Sequence, residues 1–207
     1  MNKQEEKSQP LRLSPKFDEA LAYATRAHCD QTRKGTCVPY IAHVIAVAAI
    51  ALEYGATETE AIAALLHDVV EDCGGAPRLE EIREKFGDAV AKIVAGCTDT
   101  DQIPKPPWRL RKENYVAHLA SADASTLLVS ASDKLHNARS ILRDVRRDGD
   151  KAFDRFKGKK DGTLWYYRAL VSEFRKHRES NLELIDELDR VVAEIEMLAY
   201  PKIVTRD

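Results

Sequence analysis

The sequence has no long apolar run, no paired cysteines and no surplus of positive charge, and each absence removes a class of function. No window approaches the roughly 18 uninterrupted apolar residues of a membrane-crossing helix. The polar start MNKQEEKSQP also lacks the apolar centre of a signal peptide. Both features point to a cytoplasmic protein without a membrane partner. Cys29, Cys37, Cys73 and Cys97 lie far apart with no CxxC spacing, which fits reduced thiols better than a disulfide frame or a zinc knuckle. With 32 Lys and Arg against 34 Asp and Glu, the net charge of −2 offers no basic field for a nucleic-acid partner. What is present is ordinary: 207 residues, 44% hydrophobic and 32% charged, long enough for one globular core.

Alternating strand patterns and internal repeats are missing too, and the apolar periodicity predicts an all-α helical bundle of about ten elements. Residues 1–13 read as a loose tail and 14–207 as a single domain. Ser14 followed by Pro15 opens the first helix. The second covers about 40–54 and stops at Gly55. Thr57 and Glu60 form a capping-box pattern opening a third, which runs through AALLHDVVED to Gly74-Gly75. Further helices are predicted near 79–86, 88–95, 110–121, 124–141, 163–178 and 181–199, the last capped by Ser180 with Glu183. The charged stretch DGDKAFDRFKGKKDG (148–162) reads as a mobile connection.

Three apolar helices carry polar intrusions. AALLHDVVED holds His67, Asp68, Glu71 and Asp72 with no Lys or Arg among them; His43 interrupts YIAHVIAVAAIAL; Asp133 and Asn137 lie four apart in LLVSASDKLHNARSIL. Singly, His43 reads as a hydrogen-bonded core histidine, and Glu71 with Asp72 as a solvated helix end. Jointly, side chains from separate helices can meet only in the bundle interior, where such bundles build metal sites. Two imidazoles and two carboxylates suit Mn²⁺, Fe²⁺ or Zn²⁺ with positions left for water. An ion would also compensate the clustered carboxylates.

The order H…HD…D matches the HD superfamily of metal-dependent phosphohydrolases. RKGTCVPYIAH, AALLHDVVED and SASDKLHNARSIL together resemble the hydrolase domain of the RelA/SpoT homologue family, which degrades the alarmones (p)ppGpp, over most of residues 15–175. The resemblance implies a stand-alone small alarmone hydrolase with metal ligands His43, His67, Asp68 and Asp133. It implies that Glu71 and Asp72 act on the attacking water, that Arg33 contacts the nucleobase, and that Asn137 contacts the nucleoside. Lys34 could hold a phosphate or be a solvated loop cation. His28 also fits the family pattern, and a structural hydrogen bond explains it equally well.

The expected reaction is hydrolysis of a nucleotide 3′-pyrophosphate, with Mn²⁺ the first candidate ion. Guanine and adenine substrates, (p)ppGpp and (p)ppApp, both remain open. Two basic loops, PKPPWRLRK and RFKGKKDGTLWYYR, are expected to bind the far phosphates, with Lys159 and Lys160 the named contacts. The alternatives are a phosphatase acting on another nucleotide such as NADPH, or a non-catalytic alarmone-binding or antitoxin protein. The complete ligand set counts against pure binding.

Overall fold

The computed structural model describes residues 10–100, 104–177 and 181–200. They form helices α1 (Pro15–Ala27), α2 (Ile41–Glu53), α3 (Glu58–Leu66), α4 (Val69–Cys73), α5 (Ala76–Phe86) and α6 (Asp88–Cys97). After a loop come α7 (Trp108–Leu119), α8 (Ala124–Asp148), a short 3-10 helix (Gly149–Phe153), α9 (Lys159–Phe174) and α10 (Leu182–Ala199). Extended pairing among the described residues is one isolated bridge, Thr32 to Pro39. The fold is the expected all-α bundle, and no described helix is long and apolar enough to cross a membrane.

Local chemistry sets the helix starts. Ser14 caps α1 by accepting from Lys16 N–H, and Thr57 and Glu60 complete their reciprocal box on α3. At α10 the cap is Asn181, accepting from Leu184 N–H at 3.2 Å, whereas the expected Ser180 lies outside the described residues. Most of the 1–13 tail (residues 1–9) falls outside them as well.

Two expectations change. The helix through AALLHDVVED is interrupted at His67-Asp68, between α3 and α4. His67 Nδ1 donates to the Ala64 carbonyl at 2.7 Å, taking the acceptor that a continuing α-helix would offer to Asp68 N–H. The stretch 148–162 is not an open connection. α8 continues to Asp148, Ala152 and Phe153 of the following 3-10 helix are buried, and α9 already begins at Lys159. The charged residues around Ala152 and Phe153 hide this anchor from a periodicity reading.

The apolar interior has two halves. One gathers buried residues of α1, α2, α3, α5 and α6; the other gathers α7, α8, α9, α10 and the 3-10 helix. α8 packs against α2, α3 and α6 on one side and α10 on the other, so its inner face forms the seam between them. The two basic loops are brought together within the second half, where α7 meets the start of α9. A Cβ at Gly158 would fall 2.5 Å from the Trp108 ring and one at Gly162 3.2 Å from it, so only glycines let the indole lie on the start of α9.

Candidate active site

The seam is where the polar intrusions converge. His43 comes from α2, His67 and Asp68 from the α3–α4 break, and Asp133 from α8. His43 Nε2 lies 3.3 Å from Asp68 Oδ2 and 3.2 Å from Asp133 Oδ1, while His67 Nε2 lies 3.0 and 3.7 Å from the same oxygens. Ligands held about 2.1 Å from a common ion at right angles stand about 3 Å apart; the ligand atoms of His43, His67 and Asp133 all lie within 4.8 Å of one another and suit one coordination sphere, with Asp68 beside both imidazoles. The helix break makes this possible. Consecutive residues of a regular helix point about 100° apart, yet His67 and Asp68 must both reach the same point.

The imidazoles themselves argue for an ion. His43 and His67 are buried, and neither Nε2 atom has a hydrogen-bond partner. Because His67 Nδ1 donates to a carbonyl, a neutral His67 turns its Nε2 lone pair toward two carboxylates. Such a buried arrangement is repulsive unless a proton or a metal cation lies between. Two nitrogens and two carboxylate oxygens fit a divalent ion. Burial opposes charge on His67, but Asp68 and Asp133 overturn this and hold its pKa well above the ordinary imidazole value. Burial likewise opposes ionisation of Asp133, and Lys134 with the two imidazoles holds it well below the usual carboxylate range.

A ring of side chains fixes these groups. Tyr40 O–H donates to Asp68 Oδ2 at 2.6 Å. Lys134 donates to Asp133 Oδ2, Asn137 Nδ2 to Asp133 Oδ1, and Arg33 in turn to Asn137 Oδ1. His43 Nδ1 lies 2.7 Å from His136 Nδ1. If Nε2 of His43 is to offer a lone pair, its Nδ1 carries the hydrogen and His136 accepts it. Burial, with His43 and Arg33 nearby, pushes His136 down to about 4, which keeps that acceptor free at neutral pH. Orienting partners of metal-bound histidines typically contribute about 10–100-fold to affinity. His136→Leu should therefore weaken divalent-ion binding by about that factor, while His136→Asn, whose Oδ1 can stand in for Nδ1, should restore most of it. Titration calorimetry distinguishes the two, and equal affinity in wild type and the Leu variant would contradict the role.

Glu71 and Asp72 are not a solvated helix end. Glu71 Oε1 accepts from Lys105 Nζ at 2.9 Å and Oε2 from Asp99 N–H at 3.4 Å. Asp72 Oδ2 accepts from Gln31 Nε2 at 2.8 Å. The cation absent from their own helix thus arrives from the loop before α7. His28 is buried, its Nδ1 2.7 Å from Gln31 Oε1, so it braces the glutamine that holds Asp72. Burial and Asp72 push the neighbouring Cys73 thiol up to about 11, which disfavours the reactive thiolate.

These groups open into a cavity of about 610 Å³ lined by Arg33, Lys34, Glu71, Asp72, His43 and Asn137. From the first basic loop Lys105, Arg111 and Lys112 line it, whereas Arg109 stacks over Trp165 and pairs with Glu113. From the second loop the lining cations are Arg155 and Lys157. Lys159 and Lys160 do not line it, which corrects the expectation for them. Lys159 donates to the Asp154 carbonyl, and Lys160 bonds Asp150 and the Ala199 carbonyl at the end of α10. The early start of α9 turns both away. Sequence reasoning also passed over Tyr40 and His136, although each sits three residues from a member of the buried cluster (His43 and Asp133) and hence on its helix face.

A histidine, a His-Asp pair and a distant aspartate meeting inside a helical bundle define the HD type of metal site. The family model described as HD domain matches residues 20–164. Over 130 residues the chain is 40% identical to the zebrafish guanosine-3′,5′-bis(diphosphate) 3′-pyrophosphohydrolase MESH1, covering 60% of this chain and 68% of that protein. A bacterial enzyme of the same activity name, from Aquifex aeolicus, is 34% identical over 133 residues, which is 63% of this chain but 19% of its own length. A solved structure described as a metazoan orthologue of SpoT that hydrolyses ppGpp superposes with a TM-score of 0.73 at 30% identity, covering 89% of this chain and 98% of that one. The chain belongs to the HD-domain family and, within it, to the RelA/SpoT homologues of the MESH1 kind.

Proposed function

We propose that the chain hydrolyses the 3′-pyrophosphate of a purine alarmone, (p)ppGpp or (p)ppApp, releasing pyrophosphate and a 5′-phosphorylated nucleotide. Residues 14–207 would act as one cytoplasmic hydrolase domain, with Mn²⁺ the first candidate ion and Fe²⁺ or Zn²⁺ suited to the same donors. The observation that carries the reading is the pair of buried, unpartnered imidazole nitrogens facing Asp68 and Asp133 in a cation-lined cavity. The activity named for the zebrafish relative and the ppGpp hydrolysis described for the solved relative support the substrate class.

His43, His67, Asp68 and Asp133 would hold the ion, which when bound acidifies water and offsets charge on phosphoryl oxygens. The chain's own residues do the rest. Glu71, held by Lys105 and the Asp99 N–H, receives the proton of the attacking water. Water oxygen bonds to the phosphorus attached to the ribose 3′-oxygen, and the bond from that phosphorus to the 3′-oxygen breaks, the 3′-oxygen leaving with the electron pair and taking up a proton to become the ribose hydroxyl while the pyrophosphate departs. Asp72, tied to Gln31 and 3.8 Å from the Lys105 ammonium that Glu71 also binds, helps position the water. Arg33 lies over the Tyr40 ring at 5.5 Å and offers a planar cation for a purine to stack on. Asn137, bonded to both Arg33 and Asp133, links the nucleoside position to the metal centre. Lys34 and the loop cations face the phosphates.

The test is a matched assay of ppGpp and ppApp with chelator-treated protein and added Mn²⁺, Fe²⁺ or Zn²⁺. The expected result is pyrophosphate from at least one substrate, only after metal is restored. No release from either under any of these ions would overturn the reading.

A further inference from the structure

The groups that hold Glu71 are themselves held by one buried side chain. Glu71 Oε2 accepts from the Asp99 N–H at 3.4 Å and Oε1 from Lys105 Nζ at 2.9 Å. Both donors lie between the end of α6 and the start of α7, outside either helix. Arg111, early in α7, reaches both ends of that connection. Its Nη1 donates to the Asp99 carboxylate, and its Nε donates at 3.2 Å to the carbonyl of Pro106, the residue after Lys105. A planar guanidinium offers several donors in a fixed fork, so one side chain sets the spacing of the two groups that grip Glu71. The same Nη1 lies 4.0 Å from Glu71 Oε1.

The pair is placed out of solvent. The Arg111 and Asp99 side chains are 9% and 4% exposed, and Arg111 spends its bonds on the connection although it borders the cavity. A buried ion pair is weak evidence for stability, because desolvation opposes its attraction. Here its consequence is geometric. Tyr115 lies four residues beyond Arg111, on the same face of α7, and its hydroxyl meets Ser130 Oγ of α8 at 2.6 Å. α8 also carries Asp133. The place of Glu71 is thereby referred, through Arg111 and α7, to the helix that brings Asp133 to the metal cluster.

We propose that Arg111 is a positioning residue. Acting through Asp99 and Pro106, it sets where the Glu71 carboxylate stands relative to the metal cluster, without itself gripping a phosphate. The use of Glu71 as the base rests on the function proposed above. The clamp itself rests on the hydrogen bonds.

The experiment separates the two. Arg111→Met removes the clamp, while Lys112, 2.7 Å from Asp99 Oδ2, still neutralises the buried carboxylate. In the Mn²⁺-loaded enzyme kcat should fall about ten- to hundredfold, as expected for a catalytic group misplaced by about 1 Å. KM and bound metal should stay as in wild type, whereas a lost phosphate contact would raise KM. Introduced into Glu71→Gln, the same change should cost less than about threefold, because the group it positions can no longer take a proton. A merely structural lesion would cost the same in both backgrounds. The Asp99 amide, followed by NMR hydrogen exchange, should exchange at least about tenfold faster once the clamp is gone. If circular dichroism shows that the Met variant does not fold, Arg111→Lys carries the same comparisons, since a single ammonium keeps the charge but not the fork. Unchanged kcat, a KM rise with kcat kept, equal losses in the two backgrounds or wild-type exchange at Asp99 would each overturn the role. Faster exchange at Asp99 in a protein that hydrolyses no alarmone would uphold the clamp while refuting the proposed reaction.

Discussion

Replacing His67 and Asp68 together by alanine should empty the metal centre and abolish turnover. Metal analysis of the purified variant is expected to fall from about one divalent ion per chain to near none, and kcat/KM to drop by at least about a thousandfold. The two residues supply a nitrogen and an oxygen 3.0 Å apart, and the remaining pair, His43 and Asp133, cannot complete a coordination sphere alone. The bundle should survive. Asp133 keeps its Lys134 and Asn137 partners, and His67 and Asp68 lie at a helix break rather than within a helix. Circular dichroism should therefore stay helical. A variant that retains both ion and turnover would remove His67 and Asp68 from the site. One that retains a biological effect without turnover would favour a binding protein.

Glu71→Gln gives the second large effect, with a different signature. Removing a general base costs about 10²–10⁴-fold, and the loss should fall on kcat, with metal content unchanged and KM altered little. The amide oxygen can still accept from Lys105, so the loop before α7 keeps its anchor, and only the ability to take a proton is lost. Single-turnover kinetics with metal quantified in the same samples checks this. A Glu71→Gln enzyme with near wild-type kcat would pass the base role to Asp72 or to solvent.

Much of the fold was legible because its signals are local. Ser14-Pro15, Thr57 with Glu60 and the stripe of α10 each announce a helix through caps and periodicity. The convergence of His43, His67, Asp68 and Asp133 was legible because polar residues on apolar faces have few other uses. The rest depends on chain geometry that periodicity does not encode. The break between α3 and α4 follows from a side chain, His67, claiming a main-chain acceptor. Lys105 reaches Glu71 across 34 positions of sequence, so carboxylates that looked unpaired in their own helix are not. Lys159 and Lys160 share a charge run with Arg155 and Lys157, but the start of α9 sends them to Asp154, Asp150 and the end of α10. Charge runs name the loop; only the backbone decides which of its cations face the cavity.

The most direct test of the account is crystallography of the Mn²⁺-loaded protein with anomalous scattering at the manganese edge. The account predicts one anomalous peak bounded by His43 Nε2, His67 Nε2 and oxygens of Asp68 and Asp133, each about 2.0–2.3 Å from the ion. A peak elsewhere, or none with those four side chains still clustered around empty space, would contradict it.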